Sequence, residues 1–197
     1  MKKLAEFIIG LSVVLVKKLA TISIPFTRKQ IKGANYYEIK KILQEGDIIL
    51  TKTYGEFSNL VNPSPLKHGA MYVGNPKEDH IDYVAEALGR GVVLNDLITH
   101  ILSKDEVVIC RLKKISPENK DKMVKFAISK IGLSYDYDFS LGNKAFYCFE
   151  LCAEAINSLC LGIALKKKIT LDKEFYICET FLDLTNFEIL YDSRVKK

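Results

Sequence analysis

The chain of 197 residues is 48% hydrophobic and 27% charged, a composition that excludes wholesale disorder and predicts one globular domain with a sizeable core. Its net charge of +5 is mild, and the lysines are scattered rather than interleaved with aromatic residues on one face, which argues against a nucleic-acid partner. The five cysteines include no CxxC pair and fit neither a zinc site nor a dense disulfide framework, so we expect reduced thiols at Cys110, Cys148, Cys152, Cys160 and Cys178.

The N-terminal segment, MKKLAEFIIGLSVVLVKKLATISIPF, has a basic start and an apolar stretch over residues 7–16. Lys17 and Lys18 interrupt that stretch before it reaches the roughly 18 apolar residues of a spanning helix, and no A-x-A-like cleavage site follows. Three interpretations stay open: an amphipathic helix on an anionic membrane surface, a helix docked on the protein's own core, and a cleaved signal peptide. The location is correspondingly open among membrane, cytoplasm and cell envelope. We assign residues 1–33 to this helix and a linker, and residues 34–197 to one domain.

Short helical and strand patterns follow the linker. YYEIKKILQ predicts a helix, and GDIILTK, HGAMYVG, IDYVAEA, GVVLN and EVVICRL predict strands bounded by turn or charged residues. SPENKDKMVKFAISKIG predicts a helix with Ser116 as its N-cap, Pro117 in its first turn and Gly132 at its end. YCFELCAEAINSLCLG predicts a further helix that ends at Gly162. Strands followed by packed helices are typical of an α+β fold.

A histidine begins the HGAMYVG strand. His68 follows NPSPLK, which is a loop by its prolines, so we expect the ring at the edge of a sheet near loops. A histidine in that position serves either as a structural residue or as a base. His80 and His100 lie in polar or solvent-facing contexts and are weaker candidates.

Cys148 stands where a helical pattern begins after an irregular stretch. A thiol at the N-terminus of a helix lies near the positive end of the helix dipole, which favours the nucleophilic thiolate. Cys152 and Cys160 lie further along the same pattern, where a cysteine serves as a small buried hydrophobe, and that role is the alternative for Cys148 too. Acyl transfer by a thiolate also needs a base within hydrogen-bond reach and a third polar group that fixes the imidazole tautomer.

Glu86 is the candidate for that third group. YVAEALGRGVV contains one carboxylate in an apolar strand, and this strand follows the histidine strand after one turn-bearing loop. The two strands are therefore predicted to be antiparallel neighbours, which would bring their side chains close together. The alternative is that Glu86 points outward to solvent.

Taken in order, EGDIILTK, KHGAMYVG, VAEALGRGVV, GLSYDYDF and FYCFELCAEAI resemble the permuted papain-like cysteine hydrolases of the YiiX and YaeF type, relatives of the NlpC-type cell-wall peptidases. The resemblance covers about residues 35–192, and it is specific as an ordered set because each piece alone is common. In that family the chain is circularly permuted, so that the histidine strand precedes the cysteine helix, as it does here. The resemblance implies a permuted papain-like core in which a small antiparallel sheet packs against the nucleophile helix.

Carried over to this sequence, the resemblance implies Cys148 as the nucleophile, His68 as the general base and Glu86 as the residue that orients the imidazole. The backbone N–H of Cys148 would then be one oxyanion-hole donor. No metal and no other cofactor is implied. The sequence departs from the family at Phe149, where many members have a small serine, and this difference predicts a differently shaped mouth of the site.

The segment SYDYDF alternates rings and carboxylates shortly before Cys148. The resemblance covers its tyrosine–aspartate pair and implies substrate contact for Tyr135, Asp136 and Tyr137. An aspartate near the nucleophile could receive the ammonium group of an amino-acid substrate. The alternative is a helix-capping and turn segment.

These residues together predict thiol-dependent hydrolysis of an amide, with a small-molecule or peptide amide, such as cell-wall material, as the substrate. Two alternatives remain. A lipid thioesterase or acyltransferase is favoured by the lipid-acting branch of the superfamily and by the membrane-surface interpretation of the N-terminal helix. A catalytically silent binding module that keeps the cleft belongs to a different functional class.

Overall fold

The computed structural model describes residues 30–56, 64–142, 144–170 and 173–195, so the predicted N-terminal helix lies outside the described residues. Its helices are α1 (Gly33–Ile42), α2 (Leu97–Leu102), α3 (Pro117–Ser129), α4 (Cys148–Asn157) and α5 (Cys178–Phe181). Its strands are β1 (Ile48–Lys52), β2 (His68–Gly74), β3 (Tyr83–Leu88), β4 (Gly91–Asp96), β5 (Glu106–Leu112), β6 (Lys168–Thr170), β7 (Lys173–Phe175) and β8 (Phe187–Asp192). None of the described helices has the length and apolar character needed to cross a bilayer.

Six of the strands form one antiparallel sheet in the order β4-β3-β2-β1-β5-β8, and β6 pairs with β7 in a separate hairpin. The first four strands make a meander, which places the histidine strand β2 directly beside the glutamate strand β3. In this pair Ala70 lies opposite Glu86. The predicted antiparallel pairing of the two strands is therefore confirmed.

Helices cover both faces of the large sheet. One apolar cluster joins alternate residues of the strands to α3, α4 and α5, as in the contact group that includes Met71, Val108, Ala127, Cys152 and Phe181. The other cluster joins the remaining strand residues to α1 and α2, as in the group that includes Ile39, Ile49, Ala70, Val84 and Ile101. Burial on both faces explains why the central strands read as continuous apolar runs rather than as alternating patterns.

The helix that begins at Cys148 ends at Asn157, so the predicted end at Gly162 is wrong. Ser158 caps the helix, and Cys160 takes a left-handed φ of 52°, which a right-handed helix cannot continue. The first described helix, α1, begins at Gly33, and the Asn35 side chain accepts a hydrogen bond from the backbone N–H of Lys32.

Candidate active site

His68 is the first residue of β2, which is an interior strand, so its ring lies at a strand end rather than at the sheet edge that the sequence predicts. Its side chain is 18% exposed, and its Nε2 lies 2.6 Å from Oε2 of Glu86. The thiol of Cys148 neighbours the same ring and raises its pKa. Since Glu86 occupies Nε2, Nδ1 is the nitrogen that remains for the thiol. The imidazole therefore links a carboxylate on β3 to a thiol on α4.

The glycine after His68 lets α4 approach the strand. A Cβ built on Gly69 would lie 2.9 Å from Cδ1 and 3.1 Å from Cε1 of Phe149, closer than packed carbon atoms normally come. Phe149 is only 3% exposed and packs 6.2 Å, between ring centroids, from Phe181. The expectation that Phe149 reshapes the mouth of the site is therefore wrong, because its ring lies in the core between α4 and the sheet.

Replacing Gly69 by alanine should destabilise the protein by about 1–3 kcal/mol, because the added methyl group overpacks the contact with Phe149. Urea unfolding monitored by circular dichroism measures this change. Gly33→Ala is the matched control, since a Cβ there meets nothing within 4 Å. Equal midpoints for the two variants would contradict the close approach of α4 to β2.

Cys148 is the first residue of α4 and is 6% exposed. The start of the helix is fixed by its neighbours: Glu150 Oε2 accepts the backbone N–H of Tyr147 at 3.4 Å, and the backbone N–H of Tyr176 donates to the Tyr147 hydroxyl at 2.6 Å. As the first helical residue, Cys148 has a backbone N–H with no acceptor within the helix. A thiol and an unsatisfied N–H therefore occur at the same helix terminus.

Glu86 points inward and is 1% exposed, which decides between the two orientations that the sequence left open. Its neighbours follow from the strand register. His68 on β2 and Asn95 on β4 are both diagonal neighbours of Glu86 on the same face of the sheet, one towards each end of β3. Asn95 Nδ2 donates to Oε1 of Glu86 at 2.7 Å, while His68 contacts Oε2.

The charges in this cluster support one another. Burial alone would lower the pKa of His68, but the neighbouring Cys148 thiol and the Glu86 carboxylate raise it to about 9. Burial would raise the pKa of Glu86, but the neighbouring imidazoles of His100 and His68 hold it well below its ordinary value. The pair therefore favours an imidazolium beside a carboxylate at neutral pH.

The other cysteines lie in different surroundings. Burial raises the pKa of Cys110 and of Cys178 to about 12 and raises that of Cys152 well above its ordinary value, which disfavours their thiolates. Cys160 is exposed. Among the described residues, Cys148 is the cysteine that neighbours His68 closely enough to raise the pKa of the ring.

The three SYDYDF residues with predicted substrate contacts have different environments. Tyr135 lies near the nucleophile, because burial and then the neighbouring Cys148 raise the pKa of its phenol. Asp136 is 3% exposed, and its two carboxylate oxygens accept backbone N–H groups of Asp138 and Ser140 at 2.8 and 2.7 Å. Tyr137 donates its hydroxyl proton to the carbonyl of Gly89 at 2.8 Å. The contacts of Asp136 and Tyr137 favour the turn alternative for these two residues.

His100 and Asn95 also contact Glu86, and neither was predicted as a site residue from the sequence. His100 is 1% exposed, so its placement in a polar or solvent-facing context is wrong. The signal for it was local: Asp96 caps α2 by accepting the N–H of Thr99, and Leu97, His100 and Ile101 then follow at i, i+3 and i+4 on one face. A histidine on that face points to the core. Its Nδ1 lies 3.1 Å from Glu86 Oε2.

His68, Glu86 and His100 are the one group of described residues whose ligand atoms lie close enough together for a metal ion, all within 4.8 Å of one another. Two ligands of a single tetrahedral zinc ion at 2.0–2.1 Å are separated by about 3.3 Å. The 2.6 Å between His68 Nε2 and Glu86 Oε2 is shorter than that separation and matches a charge-assisted hydrogen bond. The arrangement therefore fits a hydrogen-bonded network and does not fit a metal centre.

Two surface cavities of about 430 and 350 Å³ lie away from this cluster. The first is lined by residues around β5 and the start of α3, including Arg111 and Lys120, and the second by residues including Tyr54 and Arg194. Neither contains His68 or Cys148. These two cavities therefore do not mark the candidate site, which is identified by its side-chain chemistry.

A model of the permuted papain-like amidase enzymes of the YaeF/YiiX type, the C92 family, matches residues 42–180. Protein OPG091 of variola virus is 25% identical over 159 residues, which are 79% of this chain and 88% of the viral protein. OPG091 of vaccinia virus strain Copenhagen is 24% identical over the same shares.

The crystal structure of the metalloprotein yiiX from Escherichia coli O157:H7 superimposes with a TM-score of 0.65. It is 22% identical in sequence, and the match covers 76% of this chain and 97% of that chain. At this level of identity the similarity concerns the fold. Together with the family match, it confirms the predicted α+β, permuted papain-like architecture.

Proposed function

The chain belongs to the permuted papain-like amidase family, and on that premise we propose that it hydrolyses an amide bond through a covalent acyl-enzyme on Cys148. One observation carries the proposal: Cys148 at the start of α4 and Glu86 on β3 both neighbour the His68 ring and raise its pKa, with Glu86 Oε2 2.6 Å from His68 Nε2, although the three residues come from three separate elements. A nucleophile, a base and an orienting carboxylate are the groups that acyl transfer needs.

In the proposed reaction, the thiol proton of Cys148 already resides on Nδ1 of His68, so that the resting site holds a thiolate beside an imidazolium, and the thiolate attacks the carbonyl carbon of the amide. The imidazolium then gives this proton to the leaving nitrogen as the C–N bond breaks, and the acyl group remains on sulfur as a thioester. Water attacks the thioester, His68 takes a proton from that water, and the C–S bond breaks to release the acid.

The proposed oxyanion site is the N-terminus of α4. The backbone N–H of Cys148 has no intrahelical acceptor, and the positive end of the helix dipole lies at the same point. Both features would stabilise negative charge on the carbonyl oxygen as the thiolate attacks. We propose substrate contact for Tyr135 beside Cys148, whereas Asp136 and Tyr137 would act by shaping the loop that presents Tyr135.

A metal is not part of the proposal, even though the fold neighbour from E. coli O157:H7 is described as a metalloprotein. The short contact between His68 and Glu86 is that of a hydrogen bond. The lipid alternative was favoured by the lipid-acting branch of the superfamily and by the N-terminal helix; that helix lies outside the described residues, and no described contact favours a lipid substrate. A silent binding module would have no use for the buried, charged pair of His68 and Glu86, which is costly to bury.

The proposal is tested by trapping the nucleophile. Iodoacetamide is small enough for a thiol that is 6% exposed, and at pH 7 it should modify Cys148 faster than the exposed Cys160. In His68→Gln the rate at Cys148 should fall at least about tenfold, whereas His80→Gln, at an exposed position, should leave it unchanged. Peptide mapping by mass spectrometry gives the rate at each cysteine.

Labelling of Cys160 ahead of Cys148 in the native protein would overturn the assignment of the nucleophile. The acyl group itself is identified by incubating the protein with a panel of peptide amides and acyl thioesters and measuring the intact mass. We expect an added acyl mass on Cys148 from amides. Adducts formed only from long-chain thioesters would move the proposal to lipid substrates.

A further inference from the structure

The carboxylate of Glu86 is held by more groups than an ordinary triad requires. Oε1 accepts from Asn95, and Oε2 is shared by two imidazoles, with His68 Nε2 at 2.6 Å and His100 Nδ1 at 3.1 Å. His68 comes from β2, Asn95 from β4 and His100 from α2, so three elements converge on one carboxylate. The Glu86 side chain has no free direction in which to rotate without breaking one of these contacts.

We propose that His100 is a positioning residue of the active site, which donates its Nδ1 proton to Glu86 and thereby fixes the carboxylate that orients His68. The proposal deepens the proposed function and rests on it. His100 does not touch Cys148 in this scheme and acts only through Glu86. His100 lies outside the three sequence segments that contain Cys148, His68 and Glu86.

The first support is the burial of His100. The side chain is 1% exposed, and its Nε2 has no hydrogen-bond partner among the described residues. A buried imidazole without any partner would lose hydrogen bonds to water at both nitrogens. The contact with Glu86 is at ion-pair distance but off the line of an aligned hydrogen bond, and a small rotation of the ring aligns it.

The second support is the state of the ring. Burial lowers the pKa of His100, and the Glu86 carboxylate opposes this effect. The charged and titratable groups that affect it are Glu86 from β3, His68 from β2 and Lys104 just after α2. A neutral ring with its proton on Nδ1 gives Glu86 a donor without placing a second positive charge beside an imidazolium at His68, which lies 5.9 Å away between ring centroids.

The third support is the way the sequence holds His100 in place. The helix begins at the N-cap Asp96 directly after β4, and Leu97 and Ile101, on the same helical face, are fully buried against the sheet. These two anchors leave His100 little freedom to move away from Glu86. A rigid scaffold of this kind is what a positioning residue needs in order to affect its neighbour.

The test compares two replacements that separate the donor from the volume of the side chain. His100→Asn keeps an amide N–H close to the position of Nδ1 but leaves a cavity, whereas His100→Phe fills the space and has no donor. The readout is the rate of Cys148 alkylation by iodoacetamide between pH 6 and 8 in the full chain. We expect His100→Phe to slow Cys148 about tenfold, as loss of a hydrogen bond to a charged group implies, and His100→Asn to restore most of the rate.

A purely structural role predicts the opposite order, since the cavity in the asparagine variant would be more harmful than the phenylalanine. Urea unfolding of both variants shows which of them is folded, and His80→Asn at an exposed position is the control for replacing a histidine. Native rates in His100→Phe, or a lower rate in His100→Asn than in His100→Phe, would overturn the proposal. One equivalent of zinc in the purified protein, lost from both His100 variants, would also overturn it.

The His68→Gln variant distinguishes a failure of the positioning role of His100 from a failure of the proposed function. If His68→Gln leaves the alkylation of Cys148 unchanged, the thiol and imidazole do not act as a pair and the proposed function fails. If His68→Gln slows labelling while both His100 variants match the native rate, only the positioning role fails.

Discussion

Replacement of Cys148 by alanine is expected to abolish acyl-enzyme formation and to reduce amide hydrolysis by at least about a thousandfold, because no other group could form the thioester. Removal of the nucleophile leaves only the binding contacts and the backbone N–H donors of the site, which account for a small part of the rate. Intact-mass spectrometry after incubation with the peptide amide that acylates the native protein measures the adduct. Release of the amine from the same amide measures turnover.

Cys152→Ala is the matched control. It removes a thiol from the same helix one turn further along, at a position with no exposed surface, so its main effect is a small cavity that costs about 1 kcal/mol. We expect Cys152→Ala to form the adduct at a nearly native rate. An adduct that persists in Cys148→Ala and disappears in Cys152→Ala would transfer the nucleophile to Cys152, whose pKa is raised by burial and whose thiolate is therefore disfavoured.

Local patterns made Cys148, His68 and Glu86 candidates, because each one begins or interrupts a strong local pattern, and the family resemblance supplied their predicted roles. Cys148 begins a helix, His68 begins a strand, and Glu86 is a single carboxylate within an apolar strand. Strand pairing then follows from the short connection between β2 and β3. The orientation of Glu86 could not be predicted in this way, because it depends on which side chains cover that face of the sheet.

His100 and Asn95 were missed for a physical reason. Their importance comes from contacts with Glu86, which local patterns do not contain. α2 has only six residues, so its apolar periodicity is barely one repeat and is easily missed. Asn95 lies in an otherwise ordinary strand, and only the register of β3 against β4 makes it a diagonal neighbour of Glu86.

The position of Phe149 also depends on tertiary contacts that local sequence patterns do not contain. As the residue after the nucleophile it was expected at the mouth of the site, but the helix rotates successive residues by about 100° and turns this side chain towards the sheet. There it meets Gly69, the residue after the base. The glycine and the phenylalanine are therefore a packing pair that sets how closely α4 approaches β2.

Replacement of Glu86 by glutamine is expected to have the second large effect, on both turnover and stability. The amide can donate a proton towards His68 and so favours the wrong imidazole tautomer, which should lower turnover by about a hundredfold or more. Loss of the charge also leaves His68 without its ionic partner in a buried position, which should cost about 3 kcal/mol of unfolding free energy. Urea unfolding and amide turnover measure the two effects separately.

The contribution of the His68–Glu86 pair to the unfolding free energy should depend on pH. The pKa of His68 is raised from 6.5 to about 9 by Cys148 and Glu86 against the effect of burial, so its contribution is complete below pH 6.5 and is lost as the pH rises through 9. The pKa of Glu86 is lowered, so its contribution is complete above its unfolded value of 4.5 and is lost as the pH falls below it. The native protein should therefore gain most from this pair between about pH 4.5 and 6.5.

Glu150→Gln separates the pH dependence due to the His68–Glu86 pair from that of another carboxyl. Glu150, on α4, is as buried as Glu86, but its pKa is raised whereas that of Glu86 is lowered. Burial raises its pKa to about 7, so its protonated form contributes stability that is lost as the pH rises from 4.5 to 7. We expect Glu150→Gln to remove the decline in unfolding free energy between pH 4.5 and 7 and to keep the decline between pH 6.5 and 9. Glu86→Gln should keep the decline below pH 7 and reduce the decline in unfolding free energy between pH 6.5 and 9, because Glu86 is one of the two groups that raise the pKa of His68. A native decline between pH 6.5 and 9 in Glu86→Gln would contradict the coupling of the imidazole to Glu86, and with it the orienting role of that carboxylate.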